Sequence, residues 1–103
     1  MGRLFGLGVV VATPGALELL AATGTDALAL LSRHASGDWG DLDAHDWREN
    51  ERSVRHGWRI LSVYLLDRPL ADAAREPADP RARLWILTEA SREVTTILLP
   101  EEY

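Results

Sequence analysis

The first half of the chain repeats one pattern three times: a capping side chain, a run of apolar residues at helical spacing, and a glycine. This pattern predicts helices over 14–23, 27–34 and 44–56. The capping residues are Thr13, Asp26 and Asp43, and the glycines are Gly24, Gly37 and Gly57. The third run carries few apolar side chains, so we expect its helix to be mostly solvated.

The second half changes to short runs of β-branched and aromatic residues with partial alternation. These runs predict strands over 58–66, 83–88 and 94–99, joined as an antiparallel meander. Segment 67–82 contains three prolines and four carboxylates, which predicts a long exposed loop. A short strand over 7–12 is a further candidate, because this run is apolar and rich in valine.

Helices followed by strands predict an α+β fold. Two to three N-terminal helices, within about 13–56, would pack on a three-stranded antiparallel β-meander within about 58–99. A length of 103 residues is that of one domain with one modest core. We therefore predict a single domain over 1–103.

Composition limits the cellular compartments in which the protein is expected and the kinds of partner that it is expected to bind. The chain has no cysteine, which excludes disulfides and thiolate metal sites. No stretch reaches the ~20 apolar residues of a membrane span, so we expect a cytoplasmic protein with no membrane partner. The net charge of −5 disfavours non-specific DNA binding, which depends on a basic surface. The kinds of partner that stay open are a protein and an RNA.

The segment from His34 to Asp43 concentrates the candidate chemistry. It places an imidazole, three carboxylates, an indole and two glycines in ten residues where two predicted helices meet. Glycines at 37 and 40 allow a positive φ and a close approach of the backbone. The segment therefore marks a candidate site, although carboxylates at helix starts are also ordinary caps.

Metal-independent RNA cleavage needs a base, an acid and a guanidinium for the phosphorane charge. We predict these groups in a cleft where the Gly-Asp-Trp-Gly turn meets the sheet. The candidate catalytic residues are His34, Asp38, Arg59, Glu89 and Arg92. The alternative is structural: a single histidine near a helix end more often has a structural role, and Glu89 and Arg92 can simply form a salt bridge across a turn.

Polar residues on the predicted strands form a second candidate feature. Ser62 and Tyr64 alternate onto the same face as Ile60, which suggests a polar floor for a site. Strand threonines and tyrosines are also ordinary β-formers on a wet face.

Acidic and histidine side chains between 34 and 46 are dense enough to hold a divalent ion. Their spacing matches no zinc or calcium signature, and no phosphate-binding or dinucleotide-binding motif is present. We therefore predict no metal and no cofactor.

Several motifs resemble a family of small proteins from bacterial plasmids and integrative elements. They lie in 12–17, 33–42, 57–64 and 84–103, and the most specific are His-x-x-Gly-Asp-Trp-Gly and Thr-Thr-Ile-Leu-Leu-Pro-Glu-Glu-Tyr. Segment 67–82 departs from the resemblance, since those proteins join the strands by a short turn. The resemblance implies an accessory protein of a mobile element and carries no established activity.

Two functions follow as hypotheses. The first is a metal-independent ribonuclease or toxin-like protein, similar in architecture to small ribonuclease toxins. The second is a non-catalytic acidic interaction protein, such as an antirestriction or defence-system regulator. The residues around His34 favour the first, whereas the acidic composition favours the second. The sequence leaves open whether the protein is an enzyme.

Overall fold

This computed structural model describes residues 2–67 and 81–103, without the side chain of Arg81. Within these ranges the elements are β1 (Val9–Ala12), α1 (Pro14–Thr23), α2 (Ala27–Ala35), α3 (Ala44–His56), β2 (Ile60–Asp67), β3 (Arg81–Thr88) and β4 (Val94–Leu98). A 3₁₀ turn, Pro100–Glu102, follows the last strand. The prediction of an α+β fold is confirmed.

The helices begin and end where the local signals predict. The side chains of Thr13, Asp26 and Asp43 each accept a hydrogen bond from a backbone N–H in the first turn of the helix that follows. Gly24 and Gly57 adopt left-handed conformations immediately after α1 and α3, which satisfies carbonyls at the helix ends. These caps need only neighbouring residues, so the sequence is sufficient to locate them.

The sheet is more than the predicted meander. Its strand order is β1-β4-β3-β2, in which β2, β3 and β4 are antiparallel neighbours and β1 pairs in parallel with β4. The candidate N-terminal strand is therefore part of the sheet and makes it mixed. The parallel pairing requires a long crossover, whose described residues form α1, α2, α3, β2 and β3.

The predicted loop over 67–82 is wrong at both ends. Asp67 is the last residue of β2. Arg81 and Ala82 already belong to β3, where they pair with Asp67 and Leu66, and Ala82 is buried. Long strands of eight residues extend the β2–β3 pairing beyond the alternation visible in the sequence. The remainder of the predicted loop, 68–80, lies outside the described residues.

The main core lies between the sheet and the first two helices. Leu20 of α1 and Leu31 of α2 pack with Tyr64, Ile86 and residues of the same strand faces. The helices cover one face of the sheet, which we call the inner face. By the strand register the opposite side, the outer face, carries Val9, Val11, Leu61, Val63, Leu65, Arg83, Trp85, Leu87, Val94, Thr96 and Leu98.

The C-terminal turn is fastened to the start of α1. The Glu102 carboxylate accepts hydrogen bonds from the Thr13 hydroxyl and from the Gly15 and Leu99 N–H groups. A Cβ at Gly15 would lie 2.7 Å from Glu102 Oε2, so glycine leaves room for this carboxylate. A negative charge is also favourable at a helix N-terminus. This contact joins the first and last of the motifs in the sequence.

The outer edge of β2 is covered by the chain itself. Segment 39–41 runs beside β2: the Val63 N–H donates to the Trp39 carbonyl, and the Asp41 N–H donates to the Val63 carbonyl. Asn50 of α3 donates to the Leu61 carbonyl at 2.7 Å and accepts from the Leu61 N–H at 3.2 Å. These partners satisfy the outward backbone groups of Leu61 and Val63, so another strand cannot pair with that part of β2.

No single helix of the described residues is both long and apolar enough to cross a membrane. The pair α1 and α2 passes that test only when taken together, across a bend of 110°.

Candidate functional site

His34 lies beneath the surface, between α2 and the inner face of the sheet. Its side chain is fully buried. Nδ1 lies 2.6 Å from Oγ of Ser62, and Nε2 lies 2.8 Å from Oγ1 of Thr88. Thr88 Oγ1 is in turn 2.8 Å from Oγ1 of Thr95, whose hydroxyl donates to the Leu7 carbonyl at 2.7 Å. One chain of hydrogen bonds therefore links α2, three strands and the N-terminal segment.

The carbonyl at the end of this chain determines the direction of every bond. A carbonyl oxygen can only accept a hydrogen bond, so the Thr95 hydroxyl donates to the Leu7 carbonyl. The Thr95 oxygen then accepts a hydrogen bond from the Thr88 hydroxyl. Thr88 then accepts from Nε2–H of His34, which leaves Nδ1 to accept from Ser62. The network assigns a neutral imidazole protonated on Nε2. Both ring nitrogens are occupied.

Aromatic rings close the space around the imidazole. The Phe5 ring meets His34 edge-on at 5.2 Å between centroids, and the buried Trp39 ring does so at 6.0 Å. Burial, with a smaller contribution from the charge of Arg92, lowers the pKa of His34 to about 4. An imidazole that is buried, neutral and doubly bonded cannot reach a substrate or exchange protons with one in this arrangement.

Arg92, at the end of the β3–β4 hairpin, binds the hairpin to the end of α3 through hydrogen bonds to backbone carbonyls. It has a left-handed φ of 64°, and its guanidinium donates to the carbonyls of Trp58 at 2.6 Å, Ser53 at 2.9 Å and Glu89 at 3.2 Å. The guanidinium also stacks 5.4 Å from the Phe5 ring centroid. Ser53 belongs to the last turn of α3, whose carbonyls favour a positive charge. These contacts hold α3 against the hairpin.

The other three candidate residues lie apart from this network. Asp38 pairs with Arg33 at 2.7 Å, and this hydrogen bond holds the pKa of the Asp38 carboxyl below its usual value. Arg59 donates to the Tyr103 hydroxyl at 2.7 Å, on the outer face. Glu89 is exposed beside the hairpin. Within residues 2–67 and 81–103, no hydrogen bond or ion pair joins Asp38 or Arg59 to His34, Glu89 or Arg92.

The structure thus brings some of the five candidates near one another and not the whole set. Arg92 and Glu89 share the hairpin, and the Phe5 ring lies against both Arg92 and His34. A groove of about 190 Å³ lies between α3 and β2, and none of the five candidates lines it. The catalytic role of the five residues remains a prediction, with the histidine placed below the surface rather than in an open cleft.

The residues that complete the network were partly visible in the sequence. Ser62 and Tyr64 share a face with Ile60, as the alternation predicted, and all three are buried. Local patterns do not identify Thr95, because the carbonyl that accepts its hydrogen bond belongs to Leu7, 88 positions away. A polar residue on an otherwise apolar, buried strand face is the signal that could have found it, because a buried hydroxyl needs a partner.

The acidic and histidine segment at the start of α3 forms a close group. Ligand atoms of Asp43, His45 and Asp46 lie within 4.8 Å of one another, and all three side chains are exposed. Asp43 already accepts from the Asp46 N–H as the helix cap. Since a solvated helix start accounts for this arrangement, we assign no metal to it.

No protein-family model, curated protein or solved structure matches the chain. The resemblance to plasmid and integrative-element proteins therefore stays a prediction.

The buried imidazole makes stability depend on pH. The pKa of His34 is about 4 in the folded protein, against 6.5 for a solvated imidazole, so the unfolded chain binds this proton first as the pH falls. The stabilisation is complete above pH 6.5 and is lost progressively down to pH 4, about 3 kcal/mol in all. Urea unfolding at several pH values, compared with His34→Gln, measures it. Parallel pH profiles for the two proteins would contradict this expectation.

Proposed function

We propose that this protein is a non-catalytic binding protein, an accessory of a plasmid or integrative element, and that it docks a protein partner on the outer face of its sheet. The observation that carries the proposal is the state of His34, which is fully buried with both nitrogens hydrogen-bonded inside the protein. Arg92 supports it, because its guanidinium is held by backbone carbonyls. These groups stabilise the fold rather than face a substrate.

The outer face has the composition of a binding surface. An antiparallel sheet covered by helices on one side commonly presents polar residues on the other. Here the outer strand positions are mostly valine, leucine and tryptophan. Val63, Leu87 and Leu98 on this face are buried, whereas Val9 and Val11 of β1 are 65% and 44% exposed. Exposed apolar side chains grouped at one edge of a face are typical of an interaction site.

Aromatic and arginine side chains lie on the same face. Tyr103 is 67% exposed and packs edge-on against Trp85 at 5.8 Å, while Arg59 stacks 5.7 Å from the Tyr103 ring centroid. Arg83 is exposed on the neighbouring strand position. Tyrosine, tryptophan and arginine are the residues most enriched at binding hot spots.

The charge distribution indicates the chemistry of the partner. The protein has a net charge of −5, yet its outer face carries the two exposed arginines Arg59 and Arg83 against one carboxylate, Asp67, at the end of β2. An apolar segment flanked by aspartate or glutamate would complement this face. A protein partner fits better than RNA, because the net charge of −5 disfavours binding to the phosphate backbone of a nucleic acid.

A displayed random-peptide library, selected on the immobilised protein, tests the proposal. We expect enriched peptides that combine apolar and acidic residues. Their affinity should fall at least about tenfold for Arg83→Glu, because repulsion replaces attraction. Arg48→Glu is the matched control, since it makes the same charge change at an exposed position of α3, and it should leave affinity unchanged.

Two outcomes would overturn the proposal. One is the absence of peptides whose binding depends on Arg83. The other is cleavage of a fluorescent single-stranded RNA by the purified protein that His34→Gln abolishes, which would support the ribonuclease hypothesis instead.

A further inference from the structure

The two edges of the sheet differ in whether other parts of the chain form hydrogen bonds with them. Segment 39–41 and the amide of Asn50 occupy the edge of β2. The edge formed by β1 has no such cover among the residues that the structure describes. Proteins ordinarily protect a free edge with a short strand, charges, proline or a bulge; β1, Val-Val-Val-Ala, is short but carries no charge and no proline.

The hydrogen-bonding groups on the free edge can be named. In a parallel ladder, alternate residues of a strand bond to its neighbour. The Val9 N–H donates to the Glu93 carbonyl at 2.8 Å, and the Thr13 N–H donates to the Ile97 carbonyl at 3.0 Å. Odd-numbered residues therefore face β4, so the backbone N–H and C=O of Val10 and Ala12 point outward.

We infer that a second copy of this chain pairs with β1, antiparallel and about a two-fold axis at Val10. In that register Val10 exchanges both backbone hydrogen bonds with Val10 of the second copy. Gly8 of each copy lies opposite Ala12 of the other, and the pair of sheets becomes one sheet. The inference concerns the edge of β1 and does not require the proposed function, but both use the exposure of Val9 and Val11.

Three observations favour a second copy as the occupant. First, the strand is uncharged from Gly8 to Thr13, so the two-fold brings no like charges together. Second, the strand is bounded by Gly8, with φ of 65°, and by Pro14 at the start of α1. A second copy of β1 therefore matches this strand at Val9, Val10 and Val11, and Ala12 lies opposite Gly8, the residue just before the strand.

The third observation is the apolar outer face. Val9 and Val11, the most exposed valines on that face, lie opposite Val11 and Val9 of the second copy in this register. Pairing therefore removes apolar surface from water as well as satisfying the backbone. A four-residue edge is small beside interfaces of about 1,200–2,000 Å², so the dimer is expected to be weak.

Sedimentation velocity on the full chain, from about 1 µM to 1 mM, tests the inference. Wild-type protein should shift from monomer to dimer as the concentration rises. Val10→Pro removes an N–H that the chain's own ladder does not use, and it should remain monomeric throughout. Val10→Lys places two like charges on the axis and should give the same result if the proline variant fails to fold.

The control is Leu28→Lys, an equally drastic change at a position of α2 that is 74% exposed, which should still dimerise. Amide exchange supplies a second readout, because the Val10 amide should exchange more slowly at high concentration. A wild-type protein that stays monomeric to 1 mM would overturn the inference. A dimer that survives both Val10 substitutions would do so too.

Discussion

Gly40→Ala is expected to destabilise the protein by about 4 kcal/mol or more. Gly40 has φ of 78°, and a Cβ there would lie 2.0 Å from the Val63 carbonyl oxygen and 2.7 Å from the Tyr64 ring. Segment 39–41 would have to move away from β2, which breaks its backbone hydrogen bonds and uncovers the buried Trp39. Such combined strain and loss of packing belongs to the largest single-residue effects.

Gly57→Ala separates the two causes of this effect. Gly57 has φ of 73°, and nothing lies within 4 Å of a Cβ built there. It should therefore cost only the left-handed backbone penalty, about 1–2 kcal/mol. Urea unfolding of both variants measures the difference. Equal losses would show that the contact with β2 adds nothing.

His34→Ala is expected to cost about 3 kcal/mol of stability. The change leaves a cavity among Phe5, Trp39 and the strands, and it removes the partners of the Ser62 and Thr88 hydroxyls. Leu28→Ala, on the same helix but exposed, should change stability by less than about 0.5 kcal/mol. Thermal and urea unfolding give both values.

The same variant discriminates between the two functional hypotheses. If His34 is structural, His34→Ala lowers the stability of the protein and there is no RNA-cleaving activity for the change to abolish. If His34→Ala unfolds like wild-type protein while an RNA-cleaving activity disappears, the imidazole is catalytic and its buried position is not the working one.

The predicted site shows which features of the site residue types alone can predict and which they cannot. His34 was identified as the centre of the site, and it is the centre of the buried network. Its carboxylate-rich surroundings in sequence, however, are not its surroundings in space: Asp38 turns to Arg33, and the imidazole meets the hydroxyls of Ser62 and Thr88. Those hydroxyls are 28 and 54 positions away, beyond the reach of any local pattern.

The conformation of Arg92 also could not be predicted from the sequence around it. A positive φ at a non-glycine residue is uncommon, and nothing in the hairpin sequence predicts it. The conformation is maintained because the guanidinium finds the carbonyls of Trp58 and Ser53, which α3 and β2 bring to the hairpin. The expected partner, the Glu89 side chain, is not involved.

The sequence by itself determined the three helices, their caps and the three C-terminal strands, because each depends on residues within one turn or one alternating run. Only the tertiary structure decided that β1 pairs with β4, that segment 39–41 closes the edge of β2, and that His34 is buried. Each of these depends on contacts between distant parts of the chain. Their formation depends on the free energy of the whole fold, in which burial and completed hydrogen bonds outweigh local preference.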